Sequence, residues 1–115
     1  MELSKTFFFD SANHLPDYVG KCSEVHGHRW KVEFTVKGTK NLRTGMVVDF
    51  KVLKEVADRI CLSVDHKDLN TILKNPTAEN ISELLYQEIL DKIPGDVILT
   101  QVSVWESPES KVSYS

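Results

Sequence analysis

The stretch HGHRWKVEFTVKG, from His26 to Gly38, constrains the fold more than any other part of the chain. His28, Trp30, Val32, Phe34 and Val36 share one parity, while Arg29, Lys31, Glu33, Thr35 and Lys37 share the other. Side chains on an extended chain point alternately to opposite faces, so this pattern predicts a strand with one face buried and one wet. A helix would instead put residues two apart, such as Trp30 and Val32, on nearly opposite sides of its axis.

Around that strand the other elements follow in order. LSKTFFFDSANHL is rich in aromatics and reads as a first strand. NLRTG is a turn, and MVVDF a short strand or a strand exit. Asp49 then precedes Phe50, Leu53, Val56, Ala57, Ile60 and Val64, an apolar stripe at helical spacing behind an N-cap residue. After the polar stretch DHKDLN comes a second helix in NPTAENISELLYQEILDKIPG, with Glu79 in its first turn and Pro94-Gly95 at its end. DVILTQVSVWE is a strand, SPES a turn and KVSYS a closing strand. The order ββααββ predicts an α+β domain, an antiparallel four-stranded sheet with two helices on one face. One domain over 1–115 is expected at 115 residues. The outermost strands leave open edges, which favours a homo-oligomer.

Composition narrows the partners. A formal net charge of -3 argues against nucleic acid or an anionic membrane as the main partner. No apolar run reaches the roughly 18 residues that a membrane helix needs. The amino terminus does not read as a signal peptide, so the expected location is cytoplasmic, with Cys22 and Cys61 reduced. Cys61 falls in the first helix's apolar stripe and reads as core.

Four histidines are unevenly spent. His26 and His28 stand at i and i+2 on one strand, which aims both side chains to one face. His14 lies on the neighbouring strand, and Cys22 sits four positions before His26. Three imidazoles with an open fourth position is the pattern of a catalytic Zn2+ site; the bland alternative is three histidines without metal. His66 follows Asp65, a carboxylate able to orient its ring, although such a pair also decorates helix ends. Glu106 is in phase with Val102 and Val104. A carboxylate there either turns to water or accepts two N–H donors from one edge of a ligand.

FDSANHLP, CSEVHGH, GMVVDF, DHKDLN, NPTAEN and the final VWES, in this order, resemble the family of 6-pyruvoyl- and 6-carboxy-tetrahydropterin synthases over nearly the whole chain. Cys22, His26, Gly27 and His28 spell Cys-x-x-x-His-Gly-His, the spacing of the family's queuosine-pathway branch. The resemblance implies conversion of 7,8-dihydroneopterin triphosphate and water to 6-carboxy-5,6,7,8-tetrahydropterin, acetaldehyde and triphosphate. Other activities of the family are a pyruvoyl-forming synthase and a dihydroneopterin-cleaving enzyme of a folate route. A non-catalytic pterin- or metal-binding protein is the alternative of another class.

The resemblance also implies a tunnelling-type barrel completed by other subunits, a hexamer or tetramer, with active sites where subunits meet. It makes His14, His26 and His28 the zinc ligands, Cys22 the base, and Asp65, His66 and Glu106 its proton-handling partners. Glu106 also grips the pterin, with Thr77 and Glu79 beside it, although helix capping explains those two equally well. Lys21, Arg29 and Lys67 are candidates for the triphosphate, and none is assigned. One position departs from the family pattern: Asn13 stands where the first zinc histidine is usual, and His14 follows it. A bulge could bring His14 to the metal, or Asn13 could offer an oxygen; imidazole suits zinc better, which selects His14.

Overall fold

In the computed structural model, residues 1–16 and 27–115 are described, together with the backbone of residue 26. Four strands form one antiparallel sheet in the order β1 (Glu2–Asn13), β2 (His26–Lys37), β3 (Ile98–Ser107) and β4 (Ser110–Tyr114). Between β2 and β3 come α1 (Phe50–Val64), a single 3-10 turn (Leu69–Thr71) and α2 (Ala78–Leu90). The expected ββααββ order and the helices on one face are what the fold contains.

The parity of β2 does what its pattern requires. Trp30, Val32, Phe34 and Val36 are each 0% exposed, and they face Phe7 and Phe9 of β1 and Val102 and Val104 of β3. Phe9 and Trp30 are cross-strand partners whose rings stack at 6.0 Å. The opposite face carries Phe8, Arg29, Lys31, Trp105 and Lys111. There the Arg29 guanidinium lies 4.8 Å from the Phe8 ring centre, and the Lys31 and Lys111 ammonium groups lie 4.4 and 5.2 Å from that of Trp105.

Strand β3 breaks parity once. Thr35 pairs with Gln101 but Val36 with Leu99, so Thr100 is an extra residue in the ladder. The bulge lets Leu99 and Val102, three apart, both face the core.

Helix α1 packs over β1, and α2 over β3 and β4. Asp49 caps α1 by accepting from the Lys51 N–H at 2.8 Å, and Leu53, Val56, Ala57, Ile60 and Val64 form its buried stripe. Phe50, expected at the head of that stripe, is 60% exposed, one turn too early to reach the sheet. Residues 46–49 form no strand; Val47 and Val48 instead pack against the core as irregular chain. Val47 comes so close to Gly38 that a Cβ there would lie 2.7 Å from its Cγ1, so the end of β2 needs a glycine. In the preceding turn Gly45 takes φ 74°, and Asn41 Oδ1 accepts from the N–H groups of Arg43 and Thr44.

Candidate active site

Strand β1 ends where α1 ends, and the two are tied together. Ser11 Oγ donates to the Val64 carbonyl, closing the last turn of α1 onto the sheet. Beyond it, DHKDLN lies along the outer side of β1. The His66 N–H donates to Asp10 O at 2.6 Å, and the Ala12 N–H donates to Lys67 O at 3.1 Å. Asn70 then clamps His14, accepting from its N–H at 2.9 Å and donating to its carbonyl at 3.0 Å. The polar stretch between the helices is thus a strap over the end of the open edge.

The strap fixes the Asp65–His66 pair. Asp65 Oδ1 accepts from the Asp10 N–H at 2.8 Å, and Oδ2 lies 2.8 Å from His66 Nδ1. The Asp10 N–H, followed by the His66 contact, holds the Asp65 carboxyl below the usual carboxylate range. An ionised carboxylate can only accept, so Nδ1 carries the proton and Nε2 is left as the basic nitrogen. His66 has φ 55°, the one positive value among the described non-glycine residues. A non-glycine residue held there is uncommon and marks a conformation that its surroundings enforce. Asp10, which the sequence did not single out, anchors both ends of the pair through its backbone. Its carboxylate, that of Asp65 and the His66 ring offer atoms within 4.8 Å of one another.

His28 stands on the buried face near the mouth of the β1–β2 ladder, its ring edge-on to Trp30 at 5.5 Å. Glu106 reaches it from β3, with Oε1 3.8 Å from His28 Nε2 and the carboxylate side chain 41% exposed. A register shift between Trp105 and Ser107 sits beside this residue. Glu106 therefore lies where β3 loses its regular pairing, its half-exposed carboxylate beside His28 at the margin of the packed face. An open cleft of about 490 Å³ brings His28 and His66 together, lined also by Asp10, Ser11, Gly27 and Lys67. Its size falls in the range of small-molecule sites. Lys67 lines this cleft, whereas Arg29 lies on the sheet's other face.

Two more polar groups collect at the same end. Asn13 is 4% exposed, and His14 follows directly after β1. Asn13 Oδ1 and His14 Nδ1 are buried without a hydrogen-bond partner among the described residues. Such a group costs about 1–3 kcal/mol unless something receives it. Both are donors that a cation accepts, so this end of the ladder fits a metal. The register of β1 against β2 runs without a shift from Glu2 to Asn13, so there is no bulge to turn His14 onto the face of His28.

Thr77 caps α2, its side chain accepting from the Asn80 N–H at 3.1 Å, and Glu79 is exposed in the first turn. The Asn13 amide nitrogen donates to Pro76 O at 3.3 Å, which brings the start of α2 against the end of β1. Cys22 and the side chain of His26 lie outside the described residues. Cys61 packs at the core margin, and burial, then nearby Asp65, pushes its thiol pKa up. It is a poor candidate for a thiolate base.

Comparisons with known proteins show the family and the fold. Residues 2–115 match the family described as 6-pyruvoyl tetrahydropterin synthase. The chain is 39% identical over 101 residues to a protein of Pyrococcus furiosus named dihydroneopterin monophosphate aldolase, covering 88% of this chain and 85% of that one. It is 35% identical over 118 residues to the 6-carboxy-5,6,7,8-tetrahydropterin synthase of Synechocystis, covering 96% and 89%. Among solved structures, the 6-pyruvoyl tetrahydropterin synthase of Caenorhabditis elegans superposes with a TM-score of 0.90 at 21% identity, over 99% of this chain and 94% of that one. The same sheet, the same helices and a family match from the second residue to the last lead to one statement: the chain belongs to the 6-pyruvoyl tetrahydropterin synthase family.

Proposed function

We propose that this chain is a zinc-dependent 6-carboxy-5,6,7,8-tetrahydropterin synthase. It takes 7,8-dihydroneopterin triphosphate and water to 6-carboxy-5,6,7,8-tetrahydropterin, acetaldehyde and triphosphate, a step toward queuosine. The observation that carries the reading is the cleft shared by His28 and His66, with Asp65 fixing the tautomer of the second. A base with a free Nε2 beside a histidine of the candidate metal site suits proton movement along a short hydroxylated side chain. Relatives named for this activity support the choice.

In this reading Glu106 receives the pterin's 2-amino and ring N–H groups as a two-oxygen acceptor, and Thr77 and Glu79 flank the ring. His26 and His28 hold the metal with a third donor from the end of β1. When bound, zinc supplies Lewis-acid polarisation of the substrate's side-chain hydroxyls. Cys22, as thiolate, removes a side-chain proton, and His66 relays protons, its Nε2 first taking one up and then giving it back. The open outer edges of β1 and β4 are closed by further subunits of a homo-oligomer.

A second reading is favoured by the relative named dihydroneopterin monophosphate aldolase. The same base and acid suit a retro-aldol cleavage, in which the bond between the first and second side-chain carbons breaks. One experiment separates the two. Purified protein is offered dihydroneopterin triphosphate and, separately, the monophosphate. Acetaldehyde with 6-carboxytetrahydropterin is the expected outcome; a glycolaldehyde fragment with 6-hydroxymethyl-dihydropterin replaces it by the aldolase, and pyruvoyl-tetrahydropterin by the pyruvoyl-forming synthase.

A further inference from the structure

The end of β1 holds an amide oxygen with nothing to receive it. Asn13 is 4% exposed, and its Nδ2 donates to Pro76 O, which settles which end of the amide is oxygen. Oδ1 is the end left buried without a partner among the described residues. The ladder pairs Ser11 with His28 and Asn13 with His26, so Asn13 shares the sheet face of Ser11 and His28. Its Cα lies diagonally across from that of His28, within reach of a common ligand.

His14 has a buried unpartnered atom as well, its Nδ1. The two residues differ in the direction from which they could reach the site. His14 is one step past the last ladder pair, and consecutive residues of an extended chain project to opposite faces. Asn70 holds both its backbone groups against the strap, which fixes that step in place.

We propose that Asn13 Oδ1, and not His14, is the third protein donor of the metal site built with His26 and His28. The inference rests on the metal-dependent reading above. Its chemical consequence is a mixed site, two imidazoles and one neutral amide oxygen. Amide oxygen is a harder and weaker donor than imidazole, so the site binds zinc less tightly than three histidines would and discriminates less against Mn2+.

The test measures Zn2+ affinity of the full chain without substrate, by competition with a chromophoric chelator. His14→Ala should bind zinc within about twofold of the parent, Asn13→Ala about tenfold or more weakly, and Asn13→His about tenfold or more tightly. Zinc lost in His14→Ala but kept in Asn13→Ala overturns the proposal. Should Asn13→Ala fail to fold by circular dichroism, His14→Ala and Asn13→His decide alone, since a zinc-weak His14→Ala or an unimproved Asn13→His each refute it. A parent chain that binds neither Zn2+ nor Mn2+ removes the metal-dependent reading and this inference with it. If His26→Ala abolishes binding while all Asn13 variants leave it unchanged, only this inference falls.

Discussion

The two ends of the β1–β2 ladder share one register and one buried face, yet they are furnished oppositely. Toward Lys37 the face holds Leu3, Phe7, Val32, Phe34 and Val36, packed under the helices, with the half-buried Lys5 beside Phe34 as its charged member. Toward His26 it holds Ser11, Asn13 and His28, polar groups in a place that costs free energy to fill with them. Ser11 offsets its cost by donating to the end of α1; Asn13 does so with only half of its amide. The contrast teaches that one buried face can be packed at one end and, among the described residues, keep an unpartnered polar atom at the other, where the proposed site lies. Substitutions should therefore separate them.

The largest effect is expected at the sealed end. Phe34 is 0% exposed between β1 and β3, so Phe34→Ala should cost about 3–5 kcal/mol of folding stability, read by urea denaturation. Any protein that remains folded should bind zinc normally. Weakened metal binding at full folding would mean that the two ends are not independent.

The converse is expected of the base. Cys22→Ala should reduce turnover by about 10²- to 10⁴-fold, with zinc content and melting temperature unchanged. Zinc lost in step with activity would make Cys22 a ligand rather than a base, and the polar end would then be a closed site.

Legibility in the sequence divides along the same line. Alternation in β2 and the Asp49 cap follow from local rules, so the sheet, its buried face and α1 could be read directly. The irregular parts could not, because they depend on tertiary partners. Residues 46–49 look like strand from their valines, but no neighbouring strand takes them. DHKDLN reads as an irregular polar stretch with a candidate Asp65–His66 pair, but that its backbone runs along β1 and makes Asp10 an anchor of the pair shows only in the fold. His66, Glu106 and His28 were nameable from motifs; that His28 lies 3.8 Å from Glu106 and shares a cleft with His66 needed the fold. Asn13 was visible as a departure from the family pattern, but its face was not fixed until the β1–β2 register was.

A smaller effect is expected at Asp65. In Asp65→Asn the amide oxygen can still accept from the Asp10 N–H, but the amide nitrogen then faces His66 Nδ1 as a donor. The ring must turn to its other tautomer, with the proton on Nε2, and lose its base. Turnover should fall by about 10- to 100-fold with zinc affinity unchanged. The same carboxylate gives a pH signature. Its pKa is lowered in the folded chain, so its stabilising contribution is fully present above the ordinary carboxylate pKa of about 3.9. That contribution disappears as pH falls through the lower, folded value. Acid unfolding of Asp65→Asn should therefore be less steep below about pH 4; identical acid limbs in variant and parent would mean that the strap does not depend on this charge.

The smallest effect tests whether the start of α2 belongs to the stable end or to the ligand end. Thr77 accepts from the Asn80 N–H, and the adjacent Pro76 carbonyl holds Asn13. As a cap alone, Thr77→Ala should cost about 1 kcal/mol of stability. Thr77→Ser keeps the capping oxygen and loses only a methyl group, so it should restore that stability. If Thr77 also touches the pterin, KM should rise in the alanine variant and recover in the serine one, with kcat little changed in either. A KM that stays at the parent value in both variants assigns Thr77 to helix capping only. The polar end of the ladder would then meet the substrate through Glu106 and the cleft residues, with α2 contributing position and no contact.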